Sequence, residues 1–306
     1  MTDPTLHYVS CPDAQGGHRM AYWQWGQPDA GHVVLCVHGL TRQGRDFDIL
    51  AQALCARASS LGHSLRVVCP DVVGRGKSDW LKDANGYQIP FYAADMLALL
   101  QQLNPTTLDW LGTSMGGLIG MVVASLPNAP AVAKVRRLVL NDVGPAIEAK
   151  ALQRIGQYLG NTGAFANEQQ AADAMWVTSS TFGPHTPEQW LALSRPCLKP
   201  VDGGAGQVTL RYDPALALAF KAATLESAAQ GEALLWQAYD QTTAQTLLVR
   251  GAQSDLLSSA TAQAMTHRGP RAHLIEFDGV GHAPTFVAPQ QIEAVLSFLL
   301  AKGRME

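Results

Sequence analysis

Three short stretches of this 306-residue chain carry residue types suited to acyl transfer. Gly112-Thr113-Ser114-Met115-Gly116 sets a serine between glycines two residues before and two after it. A nucleophile on a sharp strand-to-helix turn needs an unfavourable backbone conformation, and small neighbours let the chain pass without a clash. The start of the following helix also leaves a backbone N–H beside the serine. Val37-His38-Gly39-Leu40 ends an apolar run. A tetrahedral oxyanion needs two donors already aimed at it, and the N–H groups of Leu40 and Met115 are the expected pair. His38 is read as organising this loop by hydrogen bonding rather than as a general base. That base is expected at His282, in Gly281-His282-Ala283-Pro284, C-terminal to the serine as the order Ser…Asp…His requires. Two residues compete for the acid. Asp255 follows the run Thr246–Val249, and Asp142 follows Val135–Leu140. Both lie where strands end, and Asp255 is preferred.

Other chemistries find less support. Gly76-Lys77-Ser78 resembles the end of a phosphate loop, but Asp71 stands where its first glycine belongs, so Asp71–Ser78 reads as a tight turn after a buried strand. There is no HExxH, and no glycine-rich dinucleotide fingerprint follows the first strand. The five cysteines are scattered without a CxxC and suit free thiols in a reducing cytoplasm. No metal and no cofactor are expected. Net charge is −3, which disfavours phosphate-neutralising nucleic-acid binding. No apolar run reaches the ~18 residues of a membrane span, and the N-terminus lacks the features of a signal peptide.

The elements that position these residues follow from periodicity. Strand-like runs at His18–Trp25, Val33–Val37, Leu65–Cys69, Thr107–Leu111 and Val135–Leu140 alternate with helical patterns such as Met96, Leu99, Leu100 and Leu103. With 47% hydrophobic residues there is ample material for a core. The alternation predicts an α/β fold, a mostly parallel sheet flanked by helices. After Pro145 the strands give way to helical segments. Thr186-Pro187-Glu188-Gln189 reads as a capped helix start with a capping-box glutamine. The βα pattern returns at Thr246. The expected organisation is a core of residues 1–144 and 237–306 with a helical cap of residues 145–236. Trp176 is the expected cap residue at the substrate.

Together, His38-Gly39, Asp71…Gly74-x-Gly76-x-Ser78, Gly112-x-Ser114-x-Gly116, Asp255 and Gly281-His282 resemble the α/β-hydrolase superfamily. The resemblance covers nearly all of the chain outside the insertion, which matches the family's cap. It implies a triad of Ser114, Asp255 and His282, with Leu40 and Met115 as oxyanion donors. Serine at the elbow departs from the family's dehalogenases and epoxide hydrolases, which carry aspartate there. Ala283-Pro284 departs from the C–C bond hydrolases, in which tryptophan commonly follows the histidine. The expectation is a cytoplasmic serine esterase acting on small to medium esters through an acyl-enzyme. C–C bond or lactone hydrolysis with the same residues is the enzymatic alternative, and a non-catalytic ligand receptor is the other. A small-molecule ester is the expected partner, and a homodimer is compatible with the sequence.

Overall fold

The computed structural model describes residues 3–126, 134–221 and 224–301. Its first half runs β1 (Thr5–Cys11), β2 (His18–Gly26), β3 (His32–Val37), α1 (Asp48–Ser60), β4 (Arg66–Pro70), α2 (Ile89–Leu103), β5 (Thr107–Thr113), α3 (Met115–Ser125) and β6 (Val135–Asn141). Next come α4 (Ala149–Tyr158), α5 (Glu168–Ser179), α6 (Pro187–Ser194), β7 (Leu198–Pro200), β8 (Val208–Leu210) and α7 (Leu216–Lys221). The chain closes with α8 (Leu225–Gln241), β9 (Gln245–Gly251), α9 (Ser259–His267), β10 (His273–Phe277) and α10 (Pro289–Leu299).

Eight strands form one sheet in the order β1-β2-β4-β3-β5-β6-β9-β10. The β1–β2 and β2–β4 pairs are antiparallel and the others are parallel. The middles of the inner strands are apolar because both faces are covered, with charged residues such as Arg66, Asp109, Arg137 and Arg250 towards the strand ends. Val33, Leu35 and Val37 pack with Met96, Leu99 and Ile119 on one face, where α2, α3 and α8 lie. Val34 and Cys36 pack with Leu50, Leu54, Val295 and Leu299 on the other, beneath α1 and α10. From β3 the chain turns to β4 on one side and later to β5 on the other. Such a reversal leaves a crevice at the carboxyl ends of the two central strands. The loop after β3 and the turn after β5 open into that crevice. Among the described residues no helix is long and apolar enough to cross a membrane.

Three features differ from the sequence expectation. The N-terminal segment Thr5–Cys11, which directly follows Asp3-Pro4, forms edge strand β1. The insertion holds a short antiparallel pair, β7 with β8, besides its helices. The expected cap boundary at residue 236 falls inside α8, and α8 packs against α3 with Tyr239 fully buried, so it belongs to the sheet's helical layer. The capping box read from Thr186 and Gln189 is present at the start of α6.

Backbone hydrogen bonds join the insertion to the core at several places. Gly76 N–H donates to Arg211 O (3.1 Å), and Asp213 N–H donates to Gly74 O (2.8 Å). Gly281 N–H donates to Thr181 O (2.6 Å), and Glu148 N–H to Leu256 O (3.1 Å). The Arg42 guanidinium adds a bond from Nη2 to Leu193 O (2.8 Å).

Candidate active site

Ser114 sits between β5 and α3 with φ 52° and ψ −118°. That left-handed conformation costs a non-glycine residue ~1–3 kcal/mol and persists only where the surroundings enforce it. Here the Ser114 N–H is held by Asn141 O (3.0 Å), at the end of the neighbouring strand β6. The two flanking glycines are required sterically. A Cβ on Gly112 would lie 2.2 Å from Gly116 O, and one on Gly116 would lie 2.0 Å from Val37 O.

His282, in the loop after β10, places Nε2 3.0 Å from Ser114 Oγ and Nδ1 2.8 Å from Asp142 Oδ2. An ionised carboxylate only accepts, so Nδ1 carries the imidazole proton and Nε2 is free to accept from the serine. Asp142 is fully buried. It follows β6 immediately and adopts φ 54°, which turns its carboxylate back over the sheet edge. There Oδ1 accepts from Gly251 N–H (2.8 Å) and Oδ2 accepts from the Ser254 hydroxyl (2.6 Å).

The acid partner of His282 is therefore Asp142, and the preference for Asp255 is corrected. Asp255 lies beyond the turn that follows β9. It is 41% exposed and forms a two-pronged ion pair with Arg154 of α4, at 2.8 and 2.9 Å. The loop after β9 does serve the site, through Ser254 rather than its neighbour. Ser254 Oγ also accepts from the backbone N–H groups of Leu256 (3.2 Å) and Leu257 (3.0 Å), which fix its hydroxyl on Asp142. Sequence reasoning passed over Ser254 and placed Asp142 second. The available signal was that Asp142 directly follows its strand, whereas Asp255 is separated from β9 by a turn.

Leu40 lies in the loop after β3 and lines the cavity beside Ser114, and Met115 directly follows the serine. Met115 is the first residue of α3, so its N–H has no intrahelical acceptor. The β3 loop lies against the serine, with a Cβ on Gly39 falling 3.7 Å from Ser114 Cβ. His38 organises that loop. Its Nε2 accepts from Val72 N–H (2.9 Å) and its Nδ1 donates to Gly39 O (2.7 Å). Burial pushes its pKa down to about 3 from an ordinary 6.5. Between those values the unfolded chain binds a proton that the folded chain refuses. Stability should then fall as pH drops from 6.5 towards 3. Urea titrations of the wild type and His38→Gln should show the wild type's advantage shrinking from about pH 7 to about pH 4. A constant difference across that range would contradict a buried neutral imidazole.

Ser114, His282, Gly39 and Leu40 line a cavity of about 270 Å³. The insertion supplies much of its wall, including Ile155, Tyr158, Phe165, Met175, Phe182 and Tyr212. Trp176, expected at the substrate, is absent from this wall. Its ring packs edge-on against Trp190 (5.0 Å between centroids) and His185 (6.0 Å). It belongs to a separate apolar cluster with Ala172, Leu193 and Val287, because α5 turns the neighbouring Met175 towards the cavity. Asn141 braces the floor, donating to Thr113 Oγ1 (2.9 Å) and Pro284 O (2.8 Å). Thr181 of the insertion donates its hydroxyl to His282 O (3.0 Å).

Elsewhere, Cys11, His18 and Asp95 bring potential metal-ligating atoms within 4.8 Å of one another. Both imidazole nitrogens there are already engaged, Nδ1 with Asp13 and Nε2 with Asp95, each at 3.0 Å.

A relative from Cupriavidus necator, a 3-hydroxybutyrate-oligomer hydrolase, is 49% identical over 296 residues, spanning 96% of this chain and 97% of that protein. A 2-(acetamidomethylene)succinate hydrolase of Mesorhizobium japonicum is 27% identical over 275 residues, 88% of either chain. The crystal structure of an alpha/beta hydrolase from Novosphingobium aromaticivorans superposes with a TM-score of 0.80 at 33% identity, covering 98% of this chain and 99% of that one. The family model described as "alpha/beta hydrolase fold" matches residues 32–289, a stretch that takes in the serine turn, the acid and the histidine loop. With its sheet, its crevice and its relatives in agreement, this chain belongs to the alpha/beta hydrolase fold family.

Proposed function

We propose that this α/β-hydrolase cleaves carboxylic ester bonds through an acyl-enzyme on Ser114, and that its substrates are short oligomers of 3-hydroxybutyrate or closely similar hydroxyacids. The observation that carries the reading is the hydrogen-bonded series Ser114–His282–Asp142 opening into one cavity. Ser114 Oγ attacks the ester carbonyl while His282 Nε2 takes its proton. Asp142 holds the imidazolium that forms. The N–H groups of Leu40 and Met115 bind the oxyanion, each such donor being worth ~10²–10³ in kcat. The C–O bond then breaks, and Nε2 returns the proton to the departing alkoxide. Water, activated by the same imidazole, releases the hydroxyacid and restores the serine.

The substrate half of the reading rests on the 3-hydroxybutyrate-oligomer hydrolase relative and on the cavity wall. A hydroxyacid oligomer ends in a carboxylate, and Tyr158 on that wall carries a hydroxyl donor suited to it, beside Arg154, whose Nε and Nη2 are held by Asp255. The test is a substrate panel containing the 3-hydroxybutyrate dimer and trimer, the dimer methyl ester, p-nitrophenyl esters of increasing acyl length, and lactones. The expected result is hydrolysis of dimer and trimer at a kcat/KM at least ~10-fold above that of long-chain esters, with a hydroxybutyryl adduct trapped on Ser114. Inert dimer and trimer beside active lactones or simple acyl esters would overturn the substrate assignment. Failure of Ser114 to label with a fluorophosphonate would overturn the chemistry.

A further inference from the structure

The turn Asp71–Ser78, set aside in the sequence as a defective phosphate loop, carries an arginine whose surroundings point at the active site. Arg75 is fully buried. Nη1 donates to Val73 O (2.7 Å) within its own turn and fixes the side chain there. Nε donates to Leu40 O (2.8 Å), and Nη2 lies 3.3 Å from Met115 Sδ. The guanidinium carbon lies 4.9 Å from the centre of the Tyr92 ring. Among the described residues no carboxylate approaches its nitrogens within 4.0 Å. Asp213, close by, is engaged instead by the Tyr87 hydroxyl.

We propose that Arg75 is a positioning residue for the oxyanion site, one rigid fork that holds Leu40 and Met115 in register and sets a positive charge behind them. The proposal rests on the serine mechanism above, since Leu40 and Met115 are the residues whose N–H groups would receive the oxyanion. Two donors on different elements, the β3 loop and the α3 start, must converge on one point. A planar guanidinium that bonds the Leu40 carbonyl and packs on the Met115 thioether ties the two elements to one group, which a lysine ammonium cannot do. The charge acts in the same direction. In the resting enzyme the cation is offset by carbonyl dipoles and a ring face, and it gains a counter-charge only when the substrate oxygen becomes negative. An interaction that strengthens only in the transition state raises kcat rather than binding.

The experiment uses Arg75→Gln and Arg75→Lys in the full chain, with rates on a small p-nitrophenyl ester expressed per active site titrated to completion by a fluorophosphonate. That normalisation removes any misfolded fraction. The expected result is a ~10–100-fold loss of kcat in both variants with KM within about threefold. Affinity for a small alkylboronic acid, which forms a tetrahedral adduct on the serine, should fall by the same factor as kcat. Affinity for the released alcohol product, which forms no oxyanion, should hold. Normal kcat per titrated site in either variant, or lost kcat with undiminished boronate affinity, would overturn the proposal. Failure of the serine mechanism itself is distinguishable, because the wild type would then neither label with the fluorophosphonate nor bind the boronate.

Discussion

Ser114→Ala is expected to lose ~10³-fold or more in kcat while keeping its fold and its KM for the hydroxybutyrate dimer. The reason is geometric. Ser114 Oγ is 3.0 Å from the imidazole that would take its proton, in a strained backbone turn at the end of β5. Removing the hydroxyl leaves the oxyanion donors and the cavity, so a residual rate above that in water should remain. The alanine also relieves no strain, because a Cβ in the left-handed region is as crowded as the serine it replaces. Thermal unfolding should thus show nearly equal stability for mutant and parent. Steady-state kinetics with active-site titration provide the check. Near-normal turnover by the folded mutant would exclude Ser114 as nucleophile.

The second large effect separates two aspartates. Asp142→Asn should lower kcat by ~10³–10⁴, because the amide cannot stabilise the imidazolium and favours the wrong tautomer of His282. The Ser254 hydroxyl and the Gly251 N–H, both now donating to Asp142, would also face a side chain with fewer acceptor sites. Asp255→Asn should change kcat by less than about threefold, since it weakens a half-exposed ion pair worth ~0–1 kcal/mol. Comparing the two under identical conditions decides the assignment. A crippled Asp255→Asn beside an active Asp142→Asn would reverse it.

These contrasts show what the sequence could reveal. The serine turn was legible because its spacing is local: Gly112 is required by Gly116 in the same turn and Gly116 by the neighbouring strand β3, and a strand and a helix flank them visibly. His282 was legible from chain order. The acid was less legible, because Asp142 and Asp255 both follow strands and only the shorter distance of Asp142 from its strand separates them. Which one faces the histidine depends on a single residue's backbone sign and on how far the chain has travelled beyond the sheet. The φ of 54° at Asp142 leaves no trace in residue type. Trp176 failed for a related reason. Whether a helical residue faces a cavity or the next helix is set by the rotation of α5 against α6, and both environments are apolar. Strand β1 was missed because it lies at the sheet edge and buries only Val9 and Cys11, so its apolar pattern is weak even though its hairpin partner β2 follows directly.

The hydrogen bonds that tie the insertion to the core bear on how substrate enters. A lid that swings as a body needs a hinge at its base and freedom at its edges. Here the edges are stitched by main-chain bonds at Gly74, Gly76 and Gly281, and the seam runs past the turn of Arg75 and the loop of His282. Lifting it would break several main-chain bonds at once and, through the Thr181 bonds to Gly281 and His282, would pull on the loop that carries the imidazole. The chamber is thus a fixed mould rather than a closing jaw. Its size is set when the chain folds, and substrates are sorted by what already fits.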